Sequence, residues 1–301
     1  MPSEEYEALV ALLRSRADAR GPDERDLAAR RAEIDLFESL VPIPDGVGVT
    51  DVDMGGVPAV RYRPTGARDG GAVLYLHGGG YCRGSVRSHG ALAARLAVAS
   101  GTPVFLPDYR LAPEHPFPAA VRDTLDAYRW LVGPGGVPAT SVVLAGDSAG
   151  GGLALSMLIA LRDAGECLPA AAVLFSPLTD LAATGDSIIA NDRADVMFFG
   201  AWVGAVARHY LGVASAADTL ASPVYADLSG LPPLLIHVGG DEVLLDDSVR
   251  VDASARRSGV VSILEIWRGV PHGWQIFAPF LPEARASLCQ AAAFIHQQLS
   301  V

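Results

Sequence analysis

The stretch Ser141–Leu161, SVVLAGDSAGGGLALSMLIAL, decides how the rest of the chain is read. Ser141 to Ala145 is a short apolar, partly β-branched run, which predicts a buried strand. Gly146-Asp147-Ser148-Ala149-Gly150 predicts a tight turn, and Leu153 to Leu161 has the dense apolar pattern of a buried helix. Strand, sharp turn and helix with a serine at the apex form a nucleophile elbow. Its two glycines have a steric reason: strand and helix approach so closely beside the serine that a Cβ has no room. The helix that follows points its positive N-terminus at the serine and favours negative charge there.

Outward from this stretch, composition narrows the field. The 301 residues are half hydrophobic and 19% charged, enough for one large core. The net charge of −11 argues against nucleic acid or an anionic membrane surface as partner. Met1 to Arg31 has no apolar core of a signal peptide, and no run is long enough for a membrane span. Cys82, Cys167 and Cys289 fit neither a disulfide framework nor a zinc pattern, and suit a reducing cytoplasm. All 23 cationic side chains are arginine. Without lysine, Schiff-base chemistry, the P-loop and S-x-x-K hydrolases are all excluded, so an activated serine must rely on histidine.

Along the chain, Ser3 to Leu40 has apolar residues at helical spacing (Leu9, Leu12, Leu13, Ile34, Phe37) and a break at Gly21-Pro22. Val47 to Pro64 reads as a β-hairpin about Gly55-Gly56. Strands are expected at 71–76, 103–107, 141–145, 170–175, 234–238 and 262–267, with helices between them and a closing helix at 283–299. That alternation predicts a mostly parallel sheet covered on both faces. Residues 180–210 interrupt it with an apolar, aromatic helix from Val196 through Trp202-Val203. One domain spans 1–301, and about 1–40 together with 180–210 is expected to form a cap.

A serine hydroxyl is inert at neutral pH without a positioned base, and that base needs an acid to fix its tautomer. On an elbow of this kind the partners follow in the order serine, acid, histidine, at the ends of later strands. His272, in the loop Val270-Pro271-His272-Gly273-Trp274, is the base candidate. His296 reads as a helix-surface residue and His237 as a satisfied core histidine. His89, His115 and His209 have no acid or nucleophile context. Asp241 and Glu242, after the penultimate strand, compete for the acid role, while Asp246 and Asp247 read as the opening of the next helix.

His77-Gly78-Gly79-Gly80, Asp108-Tyr109-Arg110-Leu111-Ala112-Pro113-Glu114, Gly146-Asp147-Ser148-Ala149-Gly150 and Pro271-His272-Gly273 occur in one order. Together they resemble the bacterial branch of the hormone-sensitive-lipase family of α/β-hydrolase esterases, from about Leu74 to the C-terminus. The resemblance implies an α/β-hydrolase fold: an eight-stranded, mostly parallel sheet with helices on both faces and a helical cap. Its usual acid motif, D-P-L-x-D, laid without a gap, puts the acid on Glu242, a departure from the usual aspartate; Asp241 would need an insertion. It also implies an oxyanion hole of Gly78, Gly79 and Ala149 backbone N–H groups. Asp108, Arg110 and Glu114 read as structural ion pairs. The implied activity is hydrolysis of short acyl esters, about acetate to hexanoate, through an acyl-enzyme, with no metal or cofactor. Amidase or acyltransferase action on the same three residues and a non-catalytic ligand receptor are the alternatives. Tyr81, Phe198, Phe199, Trp202 and Trp274 are expected to line an apolar substrate pocket. A homodimer through the last strand is implied as well.

Overall fold

The computed structural model describes residues 3–19, 27–39, 41–67 and 69–300. The predicted break at Gly21-Pro22, and the outer ends Met1 and Leu40 of the expected N-terminal cap segment, lie outside them. Two helices, α1 (Glu4–Ala19) and α2 (Leu27–Ser39), precede the hairpin β1 (Val47–Asp53) and β2 (Pro58–Pro64). Then follow β3 (Ala72–Leu76), α3 (Gly90–Ser100), β4 (Val104–Pro107), α4 (Ala119–Val132), β5 (Val142–Asp147) and α5 (Ala149–Asp163). The second half runs β6 (Ala171–Phe175), α6 (Ser187–Ala190), α7 (Gly200–Leu211), β7 (Leu234–Gly239), α8 (Leu245–Arg257), β8 (Ser262–Trp267) and α9 (Pro282–Gln298). The eight strands form one sheet in the order β1-β2-β4-β3-β5-β6-β7-β8. Only the β1–β2 and β2–β4 pairs are antiparallel. The fold is the expected α/β-hydrolase arrangement.

Strands β3, β5, β6 and β7 are buried along their whole length, which is why they read as continuous apolar runs rather than alternating ones. Alternation survives in which layer each side chain enters. Leu74, Leu76, Leu144 and Leu174 pack with α4, α5 and α8, whereas Val73, Tyr75, Val143 and Val173 pack with α3 and α9. The sheet therefore has a core on each face, and β5 with its serine lies near its middle. At one edge, β8 leaves Ile263 and Ile266 exposed.

The aromatic run at 196–199 precedes its helix instead of forming its start: α7 begins at Gly200, with Phe199 extended before it. Val206 and Tyr210 of α7 are buried against the glycine loop that follows β3; Tyr210 stacks on Tyr81 with ring centres 3.8 Å apart. Helix α1 is tied to α9 by Ser3, whose N–H and hydroxyl donate to Glu283. Helix α2 sends Arg31 to the carbonyls of Cys82 and Ala112 and to Glu114.

Candidate active site

Ser148 has φ 52°, ψ −119°, a conformation costing about 1–3 kcal/mol for a residue with a side chain. The surroundings enforce it: its N–H donates to Phe175 O, and its carbonyl accepts from Leu178 and Gly152. The flanking glycines are needed as the sequence predicted. A Cβ on Gly146 would meet Gly150 O at 2.5 Å, and one on Gly150 would collide with Leu76 O. The side chain is thus lifted off the end of β5 at the first turn of α5.

The three groups meet there. Ser148 Oγ lies 2.9 Å from His272 Nε2, and His272 Nδ1 lies 2.8 Å from Glu242 Oε2. Glu242 is fully buried; its other oxygen accepts the Gly239 N–H at 2.6 Å and the Ser176 hydroxyl at 2.7 Å. Asp241, one residue earlier, is exposed. Burial opposes a charge on His272, but the Glu242 hydrogen bond and charge, with Asp195 and Asp147 further out, outweigh it and raise its pKa above 6.5. The imidazole is therefore a stronger base than a free one. Asp246 and Asp247 do open α8.

The glycine loop departs from expectation at one atom. The Gly78 N–H donates to Asp147 Oδ1 at 3.0 Å, so this donor is already used inside the protein. A Cβ on Gly78 would collide with the same carboxylate, which explains the first glycine of the run. Among the described residues, the Gly79 and Gly80 N–H groups have no acceptor, and that of Ala149 lies in the first turn of α5.

Asp147 also corrects the reading of His89. It accepts from Tyr75 Oη at 2.8 Å, and its Oδ2 lies 3.4 Å from His89 Nε2, so His89 does have an acid partner beside the nucleophile. Burial raises the Asp147 pKa, but His89, Tyr75 and His77 prevail and hold the carboxyl below its ordinary value. Burial keeps His77 neutral, its pKa lowered to about 3, stacked on Tyr109. His115, His209 and His296 are exposed. His237 is buried and only half satisfied: Nδ1 meets Ser287 Oγ at 2.8 Å, while Nε2 has no partner among the described residues.

Of the five expected pocket residues, three (Tyr81, Phe198 and Trp274) are buried in the core. Tyr81 is 2% exposed, stacked on Tyr210, with its hydroxyl donating to Leu178 O. Trp274 is fully buried in the layer with Phe277 and Tyr75. A tyrosine after glycines or a tryptophan after histidine looks site-facing in sequence, but the loop turns the ring inward. Phe198, Phe199 and Trp202 do cluster: Phe198 lies 5.1 Å from the His272 ring, Trp202 meets both phenylalanines edge-on, and Arg83 lies over Trp202. The motif ions pair outside their own loop, Arg110 with Asp123 and Glu114 with Arg31, while Asp108 accepts the Val86 N–H. Nothing in the spacing of Ser176 or Asp195 marks either as a site residue, and the motif holds Asp147 without showing what it binds; Ser176 has a positive φ just past β6.

A doubly covered, mostly parallel sheet with Ser148, His272 and Glu242 brought together at its strand ends defines a serine hydrolase of the α/β class. The family model described as alpha/beta hydrolase fold matches residues 73–276. An acetyl-hydrolase of Streptomyces hygroscopicus is 44% identical over 271 residues, covering 90% of this chain and 88% of the relative. A solved esterase from the bacterial hormone-sensitive lipase family superposes with a TM-score of 0.94 at 42% identity, covering 99% of both chains. EstE5, solved after soaking with p-nitrophenyl butyrate, gives a TM-score of 0.95 at 42% identity over 99% of this chain and all of that one. The chain belongs to the alpha/beta hydrolase fold family, in its bacterial hormone-sensitive-lipase branch.

Proposed function

We infer that the protein hydrolyses short-chain carboxylic esters through an acyl-enzyme on Ser148. It is a carboxylic ester hydrolase, and the observation that carries the mechanism is the unbroken chain of contacts Ser148–His272–Glu242. His272 Nε2 takes the Ser148 Oγ proton as Oγ attacks the ester carbonyl carbon. Glu242 fixes the tautomer and balances the imidazolium. The oxyanion is received by the N–H groups of Gly79, Gly80 and Ala149, with Gly80 taking the place of Gly78, whose N–H is bonded to Asp147. The tetrahedral intermediate expels the alcohol, which takes the proton from His272. Water, deprotonated by His272, then attacks the acyl carbon, and Ser148 leaves with that proton.

Phe198, Phe199 and Trp202 supply an apolar wall beside His272, which favours an acyl chain of a few carbons. Acetyl-hydrolase and soaked-butyrate relatives point the same way. Across p-nitrophenyl esters from acetate to dodecanoate, kcat/KM is expected to peak at or before hexanoate; a rate still rising at dodecanoate would sink the short-chain reading.

The chain is read as one domain whose cap is formed by 1–40 and 180–210. Support comes from the Arg31 and Ser3 ties and from the Phe198–Trp202 cluster against the site. No described helix is long and apolar enough to cross a membrane, and three free cysteines, two of them exposed, suit a reducing cytoplasm. The open β8 edge, with Ile263 and Ile266 exposed, fits a homodimer formed by edge pairing. Light scattering at micromolar concentration should give twice the chain mass; a clean monomer removes the dimer.

A further inference from the structure

Asp195 lies in the segment between α6 and α7 and is 2% exposed. Among the described residues it has no cationic partner at ion-pair distance; His272 acts on it only through its charge from further off. It accepts three backbone N–H groups from two parts of the chain: Met197 at 3.0 Å and Phe198 at 3.1 Å on Oδ1, and Val243 at 3.1 Å on Oδ2. Val243 follows Glu242, and Phe198 is the ring against His272.

We propose that Asp195 is a positioning residue for the His272–Glu242 pair, a buried carboxylate that clamps the turn carrying Glu242 to the segment carrying Phe198 and faces His272 with a second negative charge. This rests on the assignment of Ser148, His272 and Glu242 as the catalytic groups. The geometry explains why a carboxylate stands here. Both of its oxygens must accept, which the two unlike ends of an amide cannot do. The groups facing it are His272, Glu242 and, from α1, Tyr6. Burial pushes the Asp195 pKa up to about 6, opposed by His272 and reinforced by Glu242, so the carboxylate is charged above that pH. The protein bears this cost beside a residue whose protonated form the charge stabilises.

The test is the pH dependence of kcat/KM on p-nitrophenyl butyrate in wild type and Asp195→Asn. In wild type, activity is lost as pH falls through the pKa of His272, which the Glu242 hydrogen bond and charge hold above that of a free histidine. Removing a facing negative charge lowers the pKa of a histidine, so the limb of Asp195→Asn should move down by roughly one unit. Its kcat should fall about tenfold, as when a group orienting a functional side chain is lost, with KM little changed. An unshifted limb overturns the proposal whatever happens to kcat, since a purely structural role would not set that limb. Asp195→Ser, neutral and smaller, is read in the same way should the asparagine variant not fold. Each protein is first titrated with diethyl p-nitrophenyl phosphate. Failure of wild type to label at Ser148 sinks the underlying catalytic assignment; a labelled Asp195→Asn with an unmoved limb sinks only the role of Asp195.

Discussion

Ser148→Ala should turn over p-nitrophenyl butyrate about 10⁶-fold more slowly than wild type, the loss typical of deleting the nucleophile of a serine–histidine–acid unit. The size follows from what remains. Without Oγ there is no acyl-enzyme, and His272 has no hydroxyl to deprotonate; only the backbone donors of the glycine loop and α5 still favour a tetrahedral oxyanion. Such remnants retain about 10³–10⁴-fold over the uncatalysed reaction. The fold should not answer for the loss. The Ser148 hydroxyl has one described hydrogen bond, to His272 Nε2. The strained turn is imposed by backbone contacts to Phe175, Leu178 and Gly152 that alanine keeps. Thermal unfolding should therefore stay close to wild type while steady-state turnover vanishes. Activity within tenfold of wild type would falsify the assignment of Ser148.

The sequence carried the elbow because its requirement is local and steric: a serine at positive φ between a strand and a helix needs small neighbours, and Gly146 and Gly150 lie two residues to either side of it. It carried His272 for a similar reason, since a loop histidine after the last strand is set by chain order. What stayed hidden depends on contacts between distant segments. Whether the Gly78 N–H is free is decided by Asp147, 69 residues later, reaching across from β5. Whether Tyr81 and Trp274 face substrate or core is decided by Tyr210 and by the α9 layer. Asp195 has no motif at all, because its function is to accept N–H groups, and any acidic residue of a loop could have done so until the fold brought Val243 within 3.1 Å.

The neighbouring acids Asp241 and Glu242 give the second large contrast. Glu242→Gln should lower kcat about 10⁴-fold, or roughly 5 kcal/mol in the barrier, while Asp241→Asn should leave it within about twofold, as for an exposed residue outside the contact chain. Glu242 receives three donors, His272 Nδ1, Gly239 N and Ser176 Oγ. An amide has one oxygen, so in glutamine either the NH₂ faces His272 Nδ1, which forces the wrong tautomer, or it faces Gly239 N–H and Ser176. Neither orientation restores the charge that balances the imidazolium. The longer side chain is also explained here. Glu242 turns back on its own loop, with its N–H donating to Gly239 O and its carboxylate accepting the Gly239 N–H. A Cβ on Gly239 would meet Val270 O at 2.5 Å and both Glu242 Cγ and Oε1 at 2.9 Å, so the glycine admits the loop after β8 and the Glu242 side chain alike. Glu242→Asp keeps the charge but withdraws it by one carbon from a turn built around glutamate. About 100-fold should be lost, the effect of an ångström-scale misplacement. Steady-state kinetics of the three variants on one ester decide the matter: the reverse ranking, with Asp241→Asn inactive and Glu242→Gln active, would move the acid to Asp241.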